Sequence, residues 1–227
     1  MAYFLSIQNT YTHLEIGLFK GNQLINWIAE DKLRASKHFV PLIAGLLEEQ
    51  HIKFANLSFI AVNQGPGPFT TLRVVIASVN GLSFSTKIPL VGVDALDALI
   101  LEQENHLYPN TVALLNAFNQ DVYFGISTPD LLYTEKGYKN VQVLLQELQA
   151  TIPNQPIRFI GNGAELYSKE INATFGTNAY IPNPLPHTCS VHQIGLMGLD
   201  RWDKKDNVVY ELFPLYLKQS FIEPSLV

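Results

Sequence analysis

The sequence predicts an α/β fold in which mixed sheets are flanked by helices. Two observations carry that prediction. The first half of the chain reads β-β-β-α-β-α-β-α, and three hairpin-linked strands followed by alternating elements build a mixed sheet with helices on it. At its centre, Asn63 to Phe84 (NQGPGPFTTLRVVIASVNGLSF) passes from a strand through a rigid turn into a long helix. With 227 residues, the chain fits one sizeable domain or two small lobes.

Tyr3–Gln8 reads as a strand and Asn9-Thr10-Tyr11-Thr12 as a turn. Leu14, Ile16 and Leu18 alternate with Glu15 and Gly17 up to Lys20-Gly21-Asn22, a hairpin signal, and Gln23–Ala29 returns as a third strand. Ser36 offers the N-cap of a helix to about Gln50, with Phe39, Leu42, Ile43, Leu46 and Leu47 on one side and a kink expected at Pro41. Leu57–Asn63 is a short apolar strand. Gly65-Pro66-Gly67-Pro68 alternates the most permissive residue with the most restricted, and Pro68 suits the first helical position. Lys87-Ile88-Pro89 ends the helix, Leu90–Val93 is a strand, and Asp94 caps a helix from Ala95 to about Glu104.

The central helix is unusual. Between Gly65 and Thr86 its only charge is Arg73. Leu72, Val75, Val79 and Leu82 form an apolar stripe, and Ala77, Gly81 and Ser85 a band of small residues. Such a helix needs cover on more than one side. The protein's own sheet supplies one cover; a second helix or a second protein must supply the other. Ser78, Asn80, Ser83 and Ser85 make it too polar for a membrane span.

The second half is less regular. Thr111–Asn116 and Val122–Ser127 read as paired strands, with another hairpin strand expected in Leu131–Tyr138. Val141–Gln149 has helical spacing, Pro156–Ile160 is a strand, and Gly161-Asn162-Gly163 turns into a helix near Ala164–Ile171. Ser190-Val191-His192-Gln193 is a capping box for a helix to about Trp202. A polar Asp203–Asn207 loop precedes a tail with Pro214-Leu215-Tyr216-Leu217. No internal repeat stands out.

Composition narrows the function classes. Hydrophobic residues at 47% with 15% charged describe a well-cored globular protein. A net charge of −5 gives no footprint for unaided DNA or RNA binding. The single Cys189 excludes an internal disulfide framework and fits a reducing compartment. The opening MAYFLSIQNTYTH has no basic region followed by a long apolar run, so a cytoplasmic location is expected.

Catalytic patterns are missing where they are sought. Gly65 and Gly67 open a helix after a strand, the right place for an anion, but prolines at 66 and 68 remove donors a phosphate cradle would use. Neither a Walker nor a dinucleotide glycine pattern is present. His187, Cys189 and His192 are close in sequence, yet they flank a helix start and no fourth ligand is near. No metal and no cofactor is expected. Cys189 has no evident acidic orienter for a nucleophilic role, and no G-x-S-x-G elbow exists.

The β-β-β-α-β-α-β-α order is that of one lobe of the actin-like, sugar-kinase-like ATPases (the ASKHA, RNase H-like fold). The central segment also resembles a known family. GPGPFTTLRVVIASVNGLSF is similar to the GPGSFTGLRIG segment of the TsaB (YeaZ) family, the non-catalytic partner in bacterial tRNA threonylcarbamoyladenosine (t6A) synthesis. FLSIQNTYTHLEIGLF, KHFVPLIAGLLEE, IPLVGVDALDAL, LLNAFNQDVYFGI, IGNGAEL and PLYLKQS resemble further segments of that family, in order along nearly the whole chain.

The resemblance implies a two-lobed actin-like protein, divided at about 1–107 and 108–227, that acts by binding TsaD. TsaD is the metal- and ATP-dependent subunit that modifies adenosine 37 of tRNA; TsaE, a further ATPase, joins through the complex, and tRNA is contacted only indirectly. In this family two helices of the N-terminal lobe form the heterodimer interface. By position the resemblance makes Phe39, Leu42, Ile43 and Leu46 of the first helix interface candidates. From the second helix it adds Phe69, Leu72, Arg73, Ile76, Ala77, Asn80 and Gly81, after the motif turn Gly65, Pro66, Gly67 and Pro68. A vestigial nucleotide cleft would lie at Gln8, Asn9, Asn116, Gly161 and Gly163.

The chain departs from the family pattern. Gln8 stands for an Asp, Pro68 for a Ser, Thr71 for a Gly, and Asn116-Ala117-Phe118 for D-A-R. Two other readings stay open: an enzyme, either an actin-like phosphotransferase or a glycoprotease-like peptidase, and a homodimeric interaction module without a tRNA role.

Overall fold

The computed structural model describes residues 2–129 and 134–217, without the side chains of residues 35 and 36. β1 (Tyr3–Asn9), β2 (His13–Lys20) and β3 (Gln23–Asp31) form an antiparallel meander. α1 (Lys32–Glu49) leads to β4 (Leu57–Gly65), which pairs parallel with β1. α2 (Phe69–Thr86) leads to β5 (Leu90–Asp94), parallel to β4, and α3 (Ala95–Glu102) follows.

The second sheet repeats this plan. β6 (Thr111–Asn116), β7 (Asp121–Ser127) and β8 (Glu135–Asn140) are again an antiparallel meander. After α4 (Val141–Thr151), β9 (Ile157–Ile160) pairs parallel with β6. α5 (Asn162–Leu166) and α6 (Ser168–Phe175) precede β10 (Ala179–Tyr180), parallel to β9. The orders β5-β4-β1-β2-β3 and β10-β9-β6-β7-β8 are the same arrangement built twice. This is the doubled architecture of the actin-like fold, present in topology where the sequence shows no repeat.

The end of the chain then returns to the first sheet. α7 (Val191–Lys204) packs across β1, β4, β5 and β2, and β11 (Val208–Val209) closes the sheet edge beside β5. A division at residue 107 therefore needs correcting: 108–180 form the second sheet and its helices, whereas α7 and β11 belong structurally to the first.

β1 and β4 are covered on both faces, which is why they read as apolar runs. On one face Leu5, Ile7, Ile16 and Val62 meet Phe39, Ile43, Leu72 and Val79 of α1 and α2. On the other, Phe19, Phe4, Phe59 and Trp202 form a continuous aromatic stack with ring centroids 4.3–4.8 Å apart. Ala113, Leu115 and Ile160 of the second sheet join that same core. A third cluster holds α4 and α6 on the second sheet.

Some boundaries differ from expectation. α1 starts at Lys32, not after Ser36, because Asp31 at the end of β3 already caps it by accepting from the Leu33 N–H at 2.8 Å. Pro41 lies inside this helix. Pro68 is the N-cap of α2 rather than its first residue, and α3 stops at Glu102. Two short helices replace the single one expected after Gly163. β8 begins at Glu135; residues 131–133 of the expected strand lie outside the described residues. Ser190 does accept from the Gln193 N–H, but its own N–H donates to Glu102 at 2.9 Å, so Glu102 takes the reciprocal half of the cap.

A closed cleft and an open helix face

The turns after β1 and β6 meet where the two sheets adjoin, the place of the expected cleft. The chain itself fills it. Gln8, fully buried, donates from Nε2 to the Cys189 carbonyl at 2.9 Å, and its Oε1 accepts from Asn63 Nδ2. Opposite, the Gly161 and Asn162 N–H groups donate to the carbonyls of Pro186 and His187 at 2.8 and 3.0 Å. Asn162 Oδ1 accepts from the Asn116 N–H at 3.0 Å, and the Tyr11 hydroxyl donates to the Asn116 carbonyl at 2.7 Å.

The segment leading into α7 thus lies between the two turns and uses their polar groups. A void of about 10 Å³ remains among Gln8, Asn9, Tyr11, Asn63 and Cys189. That is the size of one water, against roughly 300 Å³ or more for a small-molecule site. Gly161 and Gly163 have a packing role: a Cβ would stand 2.2 Å and 2.9 Å from the Leu114 carbonyl oxygen.

Cys189 is sealed in this network, and burial pushes its thiol far above the ordinary range, so it is no nucleophile. His187 pairs with Glu165 at 3.2 Å while His192 stacks on Phe19. Among the described residues no group of three His, Cys, Asp or Glu side chains could hold a metal ion.

The other feature is the outward side of α1 and α2. Phe39, Ile43 and Leu46 of α1 and Leu72 and Ile76 of α2 are at most 4% exposed and belong to the chain's own core. They are not available as direct contacts, which corrects the expectation for these five; Leu42 is half-buried. Phe69, Arg73, Ala77 and Gly81 face outward, and the Arg73 guanidinium lies over the Phe69 ring at 4.4 Å. A Cβ at Gly81 would meet nothing within 4 Å. Position alone missed Val40, Val74 and Phe84, which are also exposed on these helices.

Asn80 serves a different purpose. Its side chain donates to the Leu212 carbonyl and accepts from the Leu212 N–H, both at 2.9 Å. Ser83 Oγ donates to the Tyr210 carbonyl, and Gln64 bonds the backbone of Phe213 and Leu215. The tail from Tyr210 to Leu215 is therefore a strap along one flank of α2. It supplies part of the second cover that the helix requires and leaves the small-residue face open. Gly65 adopts φ +103°, a conformation that favours glycine, in the turn leading to α2.

Comparison with known proteins assigns the family. A model described as TsaD, tRNA N6-adenosine threonylcarbamoyltransferase, matches residues 32–177. The chain belongs to the TsaD family, on its TsaB (YeaZ) side. Full-length relatives named tRNA threonylcarbamoyladenosine biosynthesis protein TsaB agree. That of Buchnera aphidicola subsp. Baizongia pistaciae is 23% identical over 95% of this chain and 97% of its own. The Bacillus subtilis protein is 24% identical over 98% of this chain and 97% of its own. The structure titled YeaZ from Pseudomonas aeruginosa superposes with a TM-score of 0.71 at 20% identity, covering 96% of this chain and all of that one. Against the TsaB (YeaZ) pattern, the missing acids at Gln8 and Asn116 fall within the closed cleft, and Thr71 lies beside the open face.

Proposed function

We propose that this chain serves tRNA threonylcarbamoyladenosine biosynthesis as a non-catalytic subunit that binds TsaD through the outward side of α1 and α2. The observation carrying this reading is the exposed line of Ala77 and Gly81 flanked by Phe69, Val74 and Phe84. Small residues let a partner helix approach closely, and the aromatic and aliphatic flanks supply buried area. The closed cleft supports a role without nucleotide chemistry. In this reading TsaE joins through TsaD, tRNA is reached indirectly, and the complex is cytoplasmic. Among the described residues no helix is long and apolar enough to cross a membrane.

The same face favours one rival, a homodimer with no other partner, since a self-complementary apolar face can bury itself against its copy. Light scattering on the chain alone and mixed with TsaD of the same organism separates the two. A heteromer that forms with the natural chain and not with Gly81→Arg supports the proposal. A homodimer broken by Gly81→Arg, with no heteromer, supports the rival.

A further inference from the structure

Between the first turns of α1 and α2 lies a groove of about 230 Å³. Its walls are largely apolar, with Leu33, Phe39, Val74 and Val75 among them, and it also takes in Asn9, Lys32, Thr70 and Thr71. Lys32 Nζ, Thr71 Oγ1 and Ser78 Oγ already donate to the carbonyls of Tyr11, Pro68 and Val74, whereas the donors at the start of α2 and on Asn9 lack acceptors among the described residues. α2 is an 18-residue helix whose N-cap, Pro68, has no side-chain oxygen, and no acidic residue occupies its first turn. The backbone N–H groups of Phe69, Thr70 and Thr71 find no acceptor among the described residues. They form the positive end of the helix dipole.

The second observation is independent of the helix. Asn9 is 5% exposed, and its Nδ2 is buried without a hydrogen-bond partner among the described residues. A buried amide donor left unmatched is costly, and an arriving oxygen would recover that cost. Lys32 adds a full positive charge, its Nζ resting on the Tyr11 carbonyl at 2.7 Å. The volume is too small for a nucleotide, and the apolar walls do not suit a free phosphate.

We infer that this groove receives a carboxylate carried beside an aliphatic group, presented by TsaD as an acidic side chain with an apolar neighbour. The inference rests on the proposed partner role and adds what the partner must bring: one acid opposite the start of α2. The carboxylate accepts from the α2 N–H groups and Asn9, while the apolar neighbour lies against Val74 and Leu33.

Titration calorimetry with TsaD of the same organism tests this on the full chain. Asn9→Ala removes the unmatched donor and should bind about tenfold more weakly while its Tm stays at or above that of the natural chain. Thr70→Glu supplies the acid from within; it should raise Tm and weaken binding further. Natural affinity in both variants, with binding abolished by Gly81→Arg, overturns the inference and leaves the partner role standing. If the natural chain forms no complex, or Gly81→Arg binds as well as it does, both fall. Isocaproate serves as a probe on the free, isotopically labelled chain. Millimolar shifts at the Thr70 and Thr71 amides, lost in Asn9→Ala, support the chemistry, and absence of shifts overturns it. Saturation at micromolar isocaproate makes a free carboxylate the occupant and overturns the assignment to TsaD.

Discussion

Gln8 Nε2 donates to the Cys189 carbonyl at 2.9 Å, joining the first strand to the segment that enters the last helix. The position needs an amide, because the same side chain accepts from Asn63 through Oε1. A carboxylate would set an acceptor against the Cys189 carbonyl at a position that is fully buried. The residue at 8 and the filled cleft are therefore matched.

Gln8→Asp, which restores the acid of the family pattern, should destabilise the fold by about 2–4 kcal/mol. For a chain of this size that lowers Tm by roughly 5–15 °C. Thermal denaturation measures it, and an ATPase assay on the same variant should stay at background. Hydrolysis by the variant would mean that the cleft opens.

Asn80→Ala removes both bonds to Leu212, at a cost of about 1 kcal/mol after the gain in helix propensity. The effect should be local. Amide exchange at Leu212 should accelerate strongly while that of β1 and β4 is unchanged. Equal acceleration throughout would show that the strap is not a separate unit.

Two glycines in helices should respond in opposite directions. A Cβ at Gly45 in α1 meets nothing within 4 Å, so Gly45→Ala should stabilise by about 1 kcal/mol. A Cβ at Gly198 in α7 would stand 2.3 Å from that of Ala61 in β4. Gly198→Ala should therefore lower Tm despite its better propensity, by forcing α7 off the sheet. Chemical denaturation of both variants checks the pair.

Burial raises the Glu15 carboxyl above its ordinary 4.5, opposed by His13 and the Val191 N–H and reinforced by Glu102. A raised carboxyl binds its proton more tightly in the folded state, so stability falls as pH rises from the ordinary value through the raised one. Glu15→Gln should raise Tm at pH 7 and change it little at pH 4. An equal difference at both values would remove burial of the charge as the cause.

The first half of the fold was legible because each element there carries its own signal. Alternation marks β2, and Asp94 stands directly before α3, whose Leu96 and Asp97 N–H groups it accepts from. The stripe Leu72, Val75, Val79 and Leu82 is buried as its spacing requires. What could not be read depends on partners distant in sequence. Strand order in the second sheet is set by pairings such as Val112 with Phe159, which no local pattern encodes. The use of Asn80 by Leu212, 132 residues away, has no sequence signature. Ile76 and Ala77 are adjacent and similarly apolar, yet one is buried and the other exposed, a distinction that only the orientation of α2 on its sheet makes.

The return of α7 and the strap to the first sheet also orders events during synthesis. β1, β4 and β5 leave the ribosome early, but the stack of Phe4, Phe19 and Phe59 is not completed until Trp202 emerges. The flank of α2 stays bare until Leu212 follows. A nascent chain halted at residue 107 holds half a core with its aromatic face in water, a target for chaperones and proteases. The first sheet thus gains its full cover only near the end of translation, and a fragment ending at residue 107 should expose the face that α7 buries.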